Sequence, residues 1–462
     1  MELKKFSKLL FDLNILCVYR GVLNDNLMRG YLDLIRGLAE EESIEKIFTK
    51  YGIFMNGLLA KAELSKYPVV GDAWQNHVLD LILWDENTFS RKAEYLPPSK
   101  MGATLIKMVE EDLRTLQDVC SITLDRLHMY FKKNFSWLNK AVFHDPVEFK
   151  PMLDVGKTGF PGEKPGEIKE GLLASRDWGQ NIPQLSSYYH DMGCGIFGRY
   201  LAFRWSVGEG FLPVENPDPI TLDNLVGYGD QKKAVLNNTE QFVKGFPANN
   251  VLLYGDRGTG KSSTVKALIH HFGRGGRLRL IEVSQDGLID LPRVMAALSG
   301  HAQRFIVFID DLSFEEYETQ YKHLKALLEG GVETRPDNVV VYATSNRRHL
   351  VKETFQDRAV GGPVSGEDIH PQDSLEEKIS LADRFGVVVT YTTPDQETYL
   401  SIVEELAREE GIKMDPQELR SRALRWEMWH NGRSGRTASQ FIQDLRGRMN
   451  LGENVDGWGG GT

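Results

Sequence analysis

The chain has 462 residues, too many for one typical domain, and 41% of them are hydrophobic, enough for real cores. Its formal net charge of −10 argues against a broad polyanion-binding surface while leaving room for a local basic patch. Three scattered cysteines, Cys17, Cys120 and Cys194, suggest neither a disulfide framework nor a zinc cluster. The first residues carry no uncharged leader and no apolar run is long enough to span a bilayer, so a cytoplasmic protein without membrane contact is expected.

Residues 1–140 read as a helical N-terminal domain. Its clearest element runs from Met101 to Tyr130, where Leu105, Val109, Leu113, Leu116, Cys120, Leu124 and Leu127 recur every three or four residues as one apolar stripe. Breaks fall at Asn24-Asp25-Asn26, Tyr67-Pro68 and Pro97-Pro98. Residues 141–205 are punctuated by glycine and proline and read as an irregular connector.

From about residue 206 the pattern changes to apolar runs alternating with helical periods, which predicts a doubly wound α/β sheet. Asp230 to Val243 reads as a helix, and Val226, Gly227 and Tyr228 ahead of it are candidates for contact with a nucleotide base. The run Asn250 to Tyr254 reads as a buried strand. It leads into Gly255, Asp256, Arg257, Gly258, Thr259, Gly260, Lys261 and Ser262, followed by Ser263 and a helical period. Glycine, four residues, glycine, lysine and serine between a strand and a helix is the phosphate-cradling pattern. Glycines let main-chain N–H groups approach phosphate oxygens, and the helix N-terminus adds positive potential. Lys261 is expected on the β- and γ-phosphates of ATP, and the Ser262 hydroxyl on Mg²⁺.

A second strand is expected at Arg279 to Val283 and a helix from Leu291 to Leu298. Five apolar residues, Phe305 to Ile309, suit a strand covered on both faces, with Asp310 and Asp311 at its carboxyl end. Asp310 is expected to share the Mg²⁺ with Ser262, and Asp311 to act as general base on the attacking water. A helix is expected at 318–329. The strand Asn338 to Ala343 ends near Asn346, a candidate for contact with the γ-phosphate or the water. Residues 360–373 read as a loop, and Val387 to Tyr391 as a fifth strand. Three helices follow. Thr393, Pro394 and Gln396 read as cap, first residue and capping-box partner of the first; Asp415 and Pro416 open the second; Ser434 caps the third, with Arg436 in its first turn, where the helix dipole disfavours a cation unless an anion is near.

Together these motifs resemble the AAA+ ATPases over about half the chain, roughly 220–448. More narrowly, Pro247-Ala248-Asn249-Asn250 with the following loop, Asp310 to Glu315, Ala343 to Arg348, Asp383-Arg384-Phe385-Gly386 and Gly432 to Thr437 are similar to a largely uncharacterised prokaryotic AAA+ family, a domain of unknown function. The resemblance implies an αβα sandwich with a five-stranded parallel sheet over 206–393 and a helical lid over 394–450; residues 451–462 read as a flexible glycine-rich tail. It implies that Arg384 is an arginine finger acting in trans on a neighbour's γ-phosphate, making a homo-oligomer part of the site, and that Arg436 is the lid sensor. AAA+ enzymes usually carry glutamate where this chain has Asp311, a carboxylate shorter by roughly 1.3–1.5 Å. Glu315 or Glu316 could assist it.

The expected function is ATP hydrolysis to ADP and phosphate, coupled to remodelling of an unidentified protein or nucleic-acid partner. Two alternatives stay open: an ATP-dependent switch or scaffold with very slow hydrolysis, and a small-molecule phosphotransferase.

Overall fold

The computed structural model describes residues 2–63, 69–135, 164–273, 276–312, 324–325, 328, 335–346, 384–430 and 432–451. The helix expected at 318–329, Glu315, Glu316, Arg347, Arg348, the 360–373 loop and the tail beyond 451 lie wholly or mostly outside the described residues. Contacts divide the chain into two compact units, one built mainly of residues up to Tyr200 and joined by His301–Gln303, the other mainly of residues from Leu201 onward.

The first unit is helical: α1 (Glu2–Asn14), α2 (Asn26–Ala39), α3 (Ile44–Glu63), α4 (Ala73–Trp84), α5 (Thr88–Ala93), α6 (Ala103–Ser121), α7 (Leu124–Asn134), α8 (Lys164–Ala174), α9 (Ile182–Met192) and α10 (Gly195–Arg199). The single helix expected over Met101 to Tyr130 is two. Thr123 Oγ1 accepts the Arg126 N–H at 3.2 Å and starts α7 afresh. The apolar stripe survives the break, with Val109, Leu113, Leu116, Cys120, Leu124 and Leu127 all buried. Residues 164–199, expected to be irregular, hold three helices. Their prolines, Pro165 and Pro183, fall in first turns, where a missing N–H costs no intrahelical bond.

Asp25 caps α2, accepting the Leu27 and Met28 N–H groups, and its carboxylate pairs with His77 Nε2 at 2.7 Å. Burial opposes that charge, but the His77 and Lys61 partners and the capped N–H outweigh it and hold the Asp25 carboxyl well below the usual range. A depressed carboxyl stabilises the fold above its unfolded pKa, near 4, and loses that contribution as pH falls. Asp25→Ala is therefore expected to cost about 1 kcal/mol at neutral pH from the cap alone. The gap from wild type should narrow below about pH 4. Denaturation across a pH series checks this; a gap independent of pH would contradict it.

The second unit carries one sheet in the order β2-β1-β4-β5-β6-β3-β7. Its strands are β1 (Ala202–Ser206), β2 (Gly210–Pro213), β3 (Val251–Gly255), β4 (Leu278–Glu282), β5 (Arg304–Ile309), β6 (Val339–Ser345) and β7 (Val387–Tyr391). The five expected strands are present and parallel, yet the sheet has seven. β1 extends it in parallel beside β4, and β2 folds back antiparallel on β1. Phe203 and Trp205 are buried and Arg204 between them is exposed, the two-residue alternation of strand side chains. Gly208 and Gly210, both at positive φ, make the turn.

The helices α11 (Gly229–Val243), α12 (Lys261–Phe272) and α13 (Leu291–Ser299) accompany the sheet. Val251, Leu253, Ile306, Phe308, Val340 and Tyr342 form its buried spine with Val265 and Leu268 of α12. A separate cluster around Tyr399, Val403, Leu419, Phe441 and Leu445 joins the last three helices, α14 (Gln396–Glu409), α15 (Pro416–Trp429) and α16 (Gly435–Leu451). Asp415 and Ser434 cap α15 and α16 as read from the sequence. The cap of α14 is Asp395, which accepts the Thr398 N–H at 2.8 Å, and Thr393 is engaged elsewhere. Among the described residues no helix is long and apolar enough to cross a membrane.

Candidate functional site

Strand order decides which loops meet. β6 lies between β5 and β3, in registers that pair Ile309 with Ala343 and Tyr254 with Ser345. The chain leaving each of these parallel strands therefore emerges at one edge of the sheet, where open α/β sheets bind ligands. The glycine loop follows β3, Asp310 and Asp311 follow β5, and Asn346 follows β6.

The loop's first glycine is fixed by space. Gly255 has φ 134°, and a Cβ there would sit 1.9 Å from the Tyr391 carbonyl oxygen. Past it, the Asp256 N–H donates to that same oxygen at 2.9 Å. Lys261, buried at the start of α12, donates to the Gly255 and Asp256 carbonyls at 2.9 and 2.6 Å and to Asn346 Oδ1 at 3.0 Å. Burial pulls the Lys261 ammonium below its ordinary pKa, against the opposing charges of Asp256, Asp311 and Asp310. An anion beside it would favour the charged form.

Asp310 Oδ1 accepts two hydroxyls, Ser262 Oγ at 2.5 Å and Thr344 Oγ1 at 2.6 Å. Thr344 in turn accepts the Asp311 N–H at 2.9 Å. Thr344 was not singled out in the sequence, although the register that sets Ala343 beside Ile309 places it next to the two aspartates. Asp311 has φ 51°, a left-handed backbone rare outside glycine, asparagine and aspartate. Its Oδ1 accepts Asn346 Nδ2 at 2.6 Å, and its carbonyl accepts Gln285 Nε2 at 2.9 Å. Lys261, Asn346 and Asp311 are thus joined in one hydrogen-bonded chain.

These groups open on a cavity of about 900 Å³. Arg257, Gly258, Thr259, Gly260, Lys261, Ser262 and Ser263 line it with Asp310, Asp311 and Asn346. Val226 and Tyr228 line it too, with Ile402 and Leu406 of α14 and Gln443 of α16, three side chains that the sequence does not single out. Arg436 lines it from the first turn of α16, where its N–H lies 3.3 Å from the Gly258 carbonyl. Four expected residues stand off the cavity. Gly227 meets α14 instead, its absent Cβ falling 3.0 Å from a Thr398 methyl. Gly255 and Asp256 are turned to the strand beside them. Arg384 precedes β7, and that strand spans roughly 13 Å to the edge where the cavity lies.

Among the described residues no group of three or more His, Cys, Asp and Glu side chains is arranged to hold a metal. A magnesium ion carried by phosphates needs only one or two protein carboxylates, so the Ser262 and Asp310 pair fits that chemistry.

A family described as "Protein of unknown function (DUF815)" matches residues 198–449, more than half of the chain. The chain belongs to this family. The expectation of a family described only as a domain of unknown function therefore holds. No curated protein matches the chain. Among solved structures, the chain is similar to the RuvB Holliday junction branch migration motor of Thermotoga maritima, at 15% identity over 50% of this chain, with a TM-score of 0.35. The match spans 66% of that protein's length, just under two thirds. A mutant of the same RuvB matches at 16% identity over 52% of this chain and 70% of its own, with a TM-score of 0.36.

The close approach at Gly255 makes a sharp prediction. Gly255→Ala should force β3 and β7 apart at the loop and lower the thermal midpoint by several degrees, since an added Cβ meets main chain rather than a side chain that can turn away. A midpoint equal to wild type would contradict the packing described.

Proposed function

We propose that the chain binds ATP with Mg²⁺ in this cavity, hydrolyses it to ADP and phosphate, and couples the cycle to movement of the helices after β7. One observation carries the reading: Lys261, the Ser262–Asp310 pair and the Asn346–Asp311 pair converge on one cavity whose opposite wall is the lid. Main-chain N–H groups between Gly258 and Ser263 would receive phosphate oxygens, and Lys261 the β- and γ-phosphates. Ser262 and Asp310 would hold the magnesium ion, with Thr344 fixing Asp310 from behind; the ion supplies charge neutralisation on the phosphates. Asp311 would take a proton from the attacking water as the γ-phosphorus bond to ADP breaks, with Asn346 orienting its carboxylate. Val226 and Tyr228 would face the base together with Ile402 and Leu406.

Arg436 would meet the phosphates from the lid. Arg384, on the far end of β7 from its own cavity, would serve a neighbour's, so that a homo-oligomer completes the site. An unidentified protein or nucleic acid would be the partner remodelled. A second reading, a switch with very slow hydrolysis, draws on the Asp311 carboxylate: it is one methylene short of glutamate and already engaged by Asn346.

Lys261→Ala should weaken ATP binding by on the order of 10²-fold or more in calorimetric titration, by loss of a charge-assisted contact in a partly desolvated site. Unchanged affinity would remove the site assignment. Arg384→Ala should leave affinity within about threefold while lowering the hydrolysis that rises with protein concentration by at least about 10³-fold. Hydrolysis undiminished at assembling concentrations would rule out the finger.

A further inference from the structure

The acidic side chain inside the phosphate loop is the feature that the nucleotide reading leaves unexplained. A carboxylate beside a polyphosphate site is unfavourable unless it is turned away and satisfied. Asp256 is both. Its Oδ2 accepts the Thr393 N–H at 2.6 Å and the Thr393 hydroxyl at 2.7 Å, two donors from one residue. Those bonds hold the Asp256 carboxyl below its ordinary pKa.

Thr393 lies in the short passage between β7 and α14, the only described covalent path from the sheet to the lid. The residues beside it in this passage are held as well. The Tyr391 carbonyl accepts the Asp256 N–H at 2.9 Å, and the Thr392 carbonyl accepts the Tyr228 hydroxyl at 2.7 Å. The Tyr228 and Tyr391 rings lie 4.9 Å apart. Tyr228 reaches this position from a left-handed backbone, φ 54°, a conformation that a bulky side chain adopts only where surrounding contacts impose it. The residues gripping the passage therefore come from the phosphate loop and from the segment facing the base. The loop also touches the far end of the lid, through Gly258 and the first turn of α16.

We propose that Asp256 and Thr393 form a latch that transmits the state of the phosphate loop to the lid, making Asp256 a positioning residue rather than a phosphate ligand. The inference rests on the nucleotide reading above. A loop that adjusts to phosphate moves Asp256, and Asp256 carries Thr393 and the start of α14 with it. Without the latch, the loop can still fill, but the lid and Arg436 no longer follow.

The test uses the full chain with ATP and Mg²⁺. Thr393→Val removes the hydroxyl donor while keeping shape. It should lower kcat by on the order of tenfold with KM within about threefold, the size of a typical coupling between sites. It should also weaken the ATP-dependent hydrogen-exchange protection expected for the first turn of α16 in wild type. Asp256→Ala, which removes the acceptor of both bonds, should lose at least as much, and the double variant should be no worse than Asp256→Ala alone, because both substitutions act through one carboxylate. Thr393→Ser, which keeps the hydroxyl, should retain wild-type kcat and protection. Wild-type kcat and protection in Thr393→Val would overturn the latch, as would an equal loss in Thr393→Ser and Thr393→Val. Strictly additive losses in the double variant would overturn it as well. If wild type itself binds no ATP, the nucleotide reading fails and the latch with it; ATP binding with an unresponsive lid sinks the latch alone.

Discussion

Strand β6 pairs with β3 on one side and β5 on the other, and that arrangement determines what chemistry the second unit can perform. The three parallel strands deliver a lysine, a carboxylate pair and an amide to the same edge. Each of these groups is then fixed by a neighbour from another strand: Lys261 by Asn346, Asp310 by Ser262 and Thr344, Asp311 by Asn346 and Thr344. The buried spine from Val251 to Tyr342 holds the registers, and a slip of one residue would turn every inward side chain outward.

The local features of this arrangement are legible in the sequence. Asp415 and Ser434 start their helices because a cap is made within three residues. The loop from Gly255 to Ser262 announces itself because strand, glycines and helix are contiguous. What the sequence hides is long-range. Thr344 matters only through a register with β5. Thr393 reads as a helix cap and is instead bound to a carboxylate 137 positions earlier in the chain. The β1–β2 hairpin is missed because its strands are short and an alternation of two aromatics is a weak signal. The helices at 164–199 are hidden because proline reads as a breaker, although in a first turn it starts helices.

Asp311 brings the energetic question into focus. A shorter carboxylate must be aimed by its backbone, and the left-handed turn at this position, with its N–H bound to Thr344 and its carbonyl to Gln285, does that aiming. The same bonds limit its freedom to move toward a substrate. Helix α16 bears on the same balance, since Arg436 lines the cavity beside the contact of α16 with Gly258.

The proposed hydrolysis rests on Asp311 serving as its base. Steady-state phosphate release by the purified chain with Mg²⁺, compared with Asp311→Asn at concentrations that favour assembly, tests it most directly. The account predicts turnover that falls by on the order of 10²–10⁴-fold on losing the base. Equal rates in the two proteins, or no turnover by wild type while ATP is bound, would contradict it.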